Sequence, residues 1–225
     1  TGVQTCALPI LHSYLRFAAL AADGARPYDR ARDGVNPGEG GAVLLLERAA
    51  DARARGATIY GYLAGVGRGG DDRPRVGYAR PGEPPAVTGA VTAIQRALAE
   101  AALDPRELTY IAGGGDGGAV ERLETAALRA ALGVAADQAP ISSVLGLCGQ
   151  SMASAGLRVI AALRALASGV APGTTGCLDP DPDASLPGLL LRPQALRTDG
   201  SGRGAALVPI LAMGGGNVAL ILTRD

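Results

Sequence analysis

The chain has 225 residues, sets 21 basic against 21 acidic side chains, and carries a single histidine. That balance leaves no electrostatic footprint for nucleic acid or for an anionic membrane surface. Every basic residue is an arginine, which excludes P-loop, Schiff-base and lysine-assisted chemistry together, and His12 alone leaves little general-base material.

In chain order, the first ten residues, TGVQTCALPI, resemble a translated sequencing-adapter tail and are set aside from the fold, so that Cys6 is not counted as native and the protein is expected to extend upstream of Leu11. No secretory signal is evident there. Gly40 to Ala49, GGAVLLLERA, is a continuous apolar run of strand length, which predicts a strand buried on both faces. A second strand is expected in ATIYGYLAGVGRGG, followed by a charged, Pro/Gly-rich loop from Asp71 to Pro85. Val91, Ile94, Leu98 and Ala101 fall at helical spacing, and Asp104-Pro105 stops that helix. After the short strand LTYIA, the residues Val120, Leu123, Ala127, Leu128 and Ala131 line another helical face, with Gly133 as its cap.

ISSVLGLCGQSMASAG reads as a strand entering a turn, and Leu157 to Ala167 as a third helix closed by Gly169. From Ala205 to Leu222 no charge occurs, but Pro209, the Gly214-Gly215-Gly216 triplet and Asn217 break the run. Two buried strands around a turn fit this better than a membrane-spanning helix. Alternating strands and helices predict an α/β layered fold with helices packed on a largely buried sheet.

Few residues offer chemistry. Cys6, Cys148 and Cys177 form no C-x-x-C pair and have no histidine cluster, which argues against zinc and against a disulfide framework and places the protein in a reducing cytoplasm. Gly113, Gly115 and Gly118 fit G-x-G-x-x-G, with Asp137 near the distance of a ribose-binding acid, so the pattern permits a dinucleotide site. A lone match of this kind after so short a strand is weak. Cys148 has no histidine or lysine beside it to activate a thiolate and reads as a packing residue; Cys177 reads as a loop residue, and Tyr110 as a strand residue at a sheet end.

One segment points elsewhere. Arg26-Pro27-Tyr28-Asp29, Arg32-Asp33-Gly34 and Gly38-Glu39-Gly40 follow one another before the apolar run. This order resembles β-ketoacyl synthases, and the likeness continues through Gly214-Gly215-Gly216-Asn217 near the end. The resemblance implies a thiolase-like layered fold, incomplete and corresponding to the C-terminal portion of a condensing enzyme. Residues 11–55 would then end the N-terminal ketosynthase half, and residues 56–225 would form the C-terminal half. It assigns Asp29, Arg32, Asp33 and Glu39 to bracing turns and gives them no chemistry.

In that family a cysteine takes an acyl group from an acyl carrier protein, and two histidines and a lysine support condensation with a malonyl carbanion. The resemblance places the cysteine upstream of Leu11. It places the first histidine on Gly113 or Gly114, the lysine on Leu145 and the second histidine on Gln150. Neither Gly114 nor Leu145 has a side chain that can donate a hydrogen bond, and Gln150 offers only a neutral one. Where relatives carry a phenylalanine gate, Met213 precedes Gly214, Gly215 and Asn217. The expectation is a non-elongating subunit of fatty acid or polyketide biosynthesis, similar to chain-length-factor subunits. Its partners would be an intact ketosynthase, as a heterodimer, and an acyl carrier protein, with no cofactor and no metal. A ketosynthase-like acyl transferase using only its cysteine, and a decayed or structural copy, remain as alternatives.

Overall fold

The computed structural model of the chain describes residues 20–71, 86–151, 153–197, 204–212 and 214–224. His12, Cys6, Met213 and most of the loop expected between Asp71 and Pro85 lie outside the described residues. The helices are α1 (Ala49–Ala54), α2 (Thr88–Glu100), α3 (Val120–Leu132), α4 (Leu145–Cys148) and α5 (Ser154–Ser168). The strands are β1 (Tyr62–Gly70), β2 (Tyr110–Ala112), β3 (Ile141–Ser142), β4 (Val170–Ala171), β5 (Gln194–Ala195), β6 (Gly204–Leu211) and β7 (Gly216–Arg224).

A five-stranded sheet with order β1-β7-β6-β2-β3 forms the middle layer. β7 runs antiparallel to both of its neighbours, β1 and β6, whereas β6, β2 and β3 are parallel neighbours. Because successive side chains in a strand point to opposite faces, each strand feeds two cores. Ile111, Leu207, Ala219 and Ile221 pack with the apolar stripes of α2 and α3 on one face. Tyr110, Ala112, Ala206, Val208 and Leu222 pack with Val159, Ala162 and Ala165 of α5 on the other. The mixed α/β layering expected from the alternation of elements is therefore present, with helices on both faces.

The helix boundaries follow from local chemistry. Gly133 (φ 58°) and Gly169 (φ 68°) close α3 and α5 in the left-handed region that favours glycine. Asp104-Pro105 follows the last turn of α2 and opens a 3₁₀ turn, where the Asp104 carboxylate accepts from Arg106 N and Glu107 accepts from Asp104 N. Pro209 lies inside β6, opposite Ala219, and does not interrupt it. β2 pairs with β6 only at Ala206 and Leu207, so the missing N–H of Pro209 falls where that neighbour has ended.

The segment from Gly40 to Ala49 differs from its expected form. It is not a strand and is not buried on both faces: residues 40–48 carry no regular structure, and Val43 and Leu45 are 93% and 82% exposed. No described strand pairs with it; Ala42 lies against Gly156 of α5, while Val43, Leu45 and Leu46 find no cover among the described residues. Among the described residues no helix is long and apolar enough to cross a membrane.

Candidate functional site at the ends of the parallel strands

Parallel strands deliver their following loops to the same edge of a sheet. β2 leads into Gly113–Gly118, β3 into Ser143–Leu145, and β6 into the turn before β7, so the three sequence signatures meet at one edge. Ser143 Oγ donates to the Gly115 carbonyl and accepts from Leu145 N at 3.1 Å, which fastens the second loop to the first. Gln150 is held by its backbone: its N–H donates to Asn36 O and its carbonyl accepts from Gly38 N, both at 2.8 Å. The Oε1 atom of Gln150 is buried and accepts no hydrogen bond among the described residues. Leu145 is buried, 2% exposed, as an apolar side chain in this position must be.

The glycine turn is built around carboxylates. Gly114 N donates to Glu124 Oε1 (2.7 Å), Gly115 N to Tyr28 Oη (3.1 Å), Gly117 N to Glu121 Oε1 (2.7 Å) and Gly118 N to Asp116 Oδ1 (2.9 Å). A phosphate cradle needs such N–H groups free and no negative charge behind them. Here they are committed to the chain's own carboxylates and to the Tyr28 hydroxyl, and Asp137 is exposed in a 3₁₀ turn beyond α3. The turn thus offers nothing to a dinucleotide.

Small residues are required at this turn because Tyr28 lies on it. A β-carbon at Gly115 would come within 2.5 Å of the Tyr28 ring, and one at Gly113 would collide with its hydroxyl. Tyr28 itself sits at φ 61°, uncommon for a bulky residue, and its hydroxyl donates to Glu124 Oε2 at 2.6 Å. Burial, reinforced by Glu124, pushes the Tyr28 phenol well above its ordinary value. Burial likewise raises Asp116 to about 6 and Glu121 to about 8.

Two arginines answer these acids. Arg32 Nε lies 3.1 Å from Glu121 Oε2, close enough to pair although that oxygen accepts no hydrogen bond, and Arg32 Nη1 donates to Asp181 at 2.6 Å. Burial works against the Asp181 carboxylate, but Arg32, the Asp183 N–H and Arg122 together outweigh it and hold the group below its ordinary range. Arg158, on α5, is 5% exposed; it donates to the carbonyls of Ala112 and Pro209 and pairs with Glu124 at 3.5 Å. Asp29 takes N–H groups from Leu178 and Asp179, while Asp33 takes one from Ala22. These contacts join loops.

The remaining candidates are placed as follows. Cys148 is half-buried; its thiol donates to Val144 O at 3.2 Å, and burial raises its pKa. Burial pushes the buried Cys177 up to about 12. Tyr110 opens β2 inside the second core, with its hydroxyl 2.8 Å from Ser142 Oγ. In the last turn, Gly215 has φ 80°, and Asn217 Nδ2 donates to Asp71 Oδ2 at 2.9 Å and to Gly215 O at 3.1 Å. Asp71 also accepts from Gly89 N, so that turn is tied to the start of α2.

Residues 60–177 match the family model described as Beta-ketoacyl synthase, C-terminal domain. The chain belongs to the β-ketoacyl synthase family. It is 40% identical over 163 residues to the putative polyketide beta-ketoacyl synthase 1 of Streptomyces halstedii, covering 72% of this chain and 38% of that protein. It is 37% identical over 213 residues to the tetracenomycin polyketide synthase ketoacyl synthase beta subunit of Streptomyces glaucescens, covering 94% of this chain and 49% of that one. The solved ishigamide ketosynthase/chain length factor superposes with a TM-score of 0.82 at 29% identity, over 94% of this chain and 50% of that one. The chain therefore spans about half the length, or less, of the relatives it matches, and shares their thiolase-like fold. Arg158, Glu121 and Glu124 are site residues that the sequence motifs do not include, and Tyr28 enters the sequence reading only as part of the Arg26–Asp29 segment, with no role at the glycine turn. The signal available for Arg158 was an arginine at mid-helix in a stripe of Ala, Val and Leu.

Proposed function

We propose that this chain belongs to a non-elongating ketosynthase-like subunit that assists an intact ketosynthase in polyketide or fatty acid synthesis. Residues 11–55 are read as the end of its N-terminal half and residues 56–225 as its C-terminal half. The observation that carries this reading is the glycine turn: at Gly114 there is no side chain to donate, and the backbone N–H is already given to Glu124. Condensation needs donors aimed at the oxygen where negative charge develops, and loss of one such donor costs about 2.7–4 kcal/mol. Leu145 adds no donor, and Gln150 adds at most a neutral one. The likeness to a beta subunit and to a ketosynthase/chain length factor supports the same reading.

Partnership follows from a retained fold without a charge-stabilising set. The expected partners are an intact ketosynthase, across an obligate-type interface of roughly 2,000 Å² or more, and an acyl carrier protein. The test is co-expression of the full-length protein with an intact ketosynthase from its own gene neighbourhood. The two should co-elute in equal amounts and make a β-ketoacyl product together that the full-length protein does not make alone. A product from the full-length protein alone, or an intact ketosynthase that works equally well without it and never co-elutes, would overturn the reading.

A further inference from the structure

The guanidinium of Arg158 has its Nε and Nη2 tied to Ala112 and Pro209, yet its Nη1 atom donates to nothing among the described residues. A β-carbon built on Gly114 would lie 2.8 Å from Nη1 and 3.1 Å from Glu124 Oε1. Both distances are shorter than side-chain atoms tolerate without displacement. The far end of an arginine normally swings aside at little expense, but here two carbonyls and a buried carboxylate fix it. Leu145, at the position where the family resemblance places a lysine, contributes no charge, so Arg158 is the cation that neutralises Glu124.

We infer that Arg158 is the positioning residue of the glycine turn. It replaces the charge missing at Leu145, holds Glu124 where it accepts the Gly114 N–H, and fills the space that any side chain at position 114 would need. The inference rests on the non-condensing reading and deepens it: the histidine position is closed by a guanidinium as well as emptied by glycine. Restoring a histidine at 114 would then not rebuild a donor, because the imidazole and the guanidinium claim the same volume.

Thermal unfolding of the full-length protein carrying Gly114→Ala, Arg158→Lys or both is the test. Lysine keeps the charge beside Glu124 but withdraws the fork that crowds position 114. Gly114→Ala should lower the melting midpoint by on the order of 4 °C or more with Arg158 present and by a small fraction of that with Arg158→Lys. Rescue by lysine is an outcome that a bulky core residue without a positioning role would not give. Equal losses in both backgrounds would overturn the assignment. If Arg158→Lys does not fold, the Arg158 Nε–H resonance decides. Slow solvent exchange in the unaltered protein, lost in Gly114→Ala, supports the inference, and fast exchange in the unaltered protein overturns it. Condensation by the unaltered protein would sink the non-condensing reading without changing these shifts, so the two failures are distinguishable.

Discussion

Ala205 to Leu211 and Gly40 to Leu46 look alike as sequence, each being an uncharged apolar run of strand length. The first is β6, held between β7 and β2, with Ala206, Leu207 and Val208 fully buried. The second carries no strand, and Val43, Leu45 and Leu46 stand open to solvent. Backbone N–H and C=O groups and apolar side chains need partners, so an apolar run states a demand that only neighbouring strands can meet. β6 meets it within the chain. The Gly40–Leu46 run does not meet it among the described residues.

Truncation within the buried run should produce the largest effect. Leu207→Ala removes a side chain packed under α2 and α3 and should cost roughly 2–5 kcal/mol, read as a lowered denaturant midpoint. Leu45→Ala should change the unfolding free energy by less than about 0.5 kcal/mol, leaving that midpoint nearly where it was. Similar losses at both sites would break the contrast and show that the Gly40–Leu46 run has a partner.

Burial also governs the acids beneath the glycine turn, and pH reads this out. Below their unfolded values of 3.8 and 4.5, Asp116 and Glu121 are protonated in both states. As pH rises, the unfolded chain ionises first and binds fewer protons than the folded chain. Stability therefore falls as pH approaches the folded values of about 6 for Asp116 and about 8 for Glu121. Each group contributes at most about 1.4 kcal/mol per pH unit in its window. Asp29 and Asp181, held low, act in the opposite sense and only under about pH 4. Glu121→Gln should flatten the decline between pH 5 and 8, and an unchanged slope in chemical denaturation across that range would remove Glu121 from this role.

A smaller effect is expected at the surface itself. The 225-residue chain should bind an apolar fluorescent dye through its exposed run, and Val43→Ser with Leu45→Ser should reduce that signal severalfold while leaving the melt nearly unchanged. A chain that binds no dye would show the run to be covered. Smallest of all is Cys148→Ser, expected to shift stability by less than about 0.5 kcal/mol, since the half-buried thiol makes one weak hydrogen bond that serine can reproduce. A loss above about 2 kcal/mol in the melt would show Cys148 to be a packing anchor.

The sequence by itself determined much of the fold. Helical spacing located α2, α3 and α5, the glycines closing α3 and α5 lay where the left-handed region is needed, and uncharged runs around Gly214-Gly215-Gly216 marked β6 and β7. These signals are local, written in side chains three, four or two residues apart. The resemblance on Arg26 to Gly40 led to the family. Only the tertiary structure decided that Pro209 sits within β6, because its tolerance depends on where β2 stops. It alone showed the Gly40–Leu46 run exposed, because burial belongs to neighbours and not to the residues themselves. It alone brought Tyr28, Glu124 and Arg158 together: 96 residues separate Tyr28 from Glu124, and Arg158 binds the carbonyl of Ala112 from 46 residues away. Long-range polar contacts leave no periodicity in a sequence; they exist only once three parallel strands have carried their loops to one edge of the sheet.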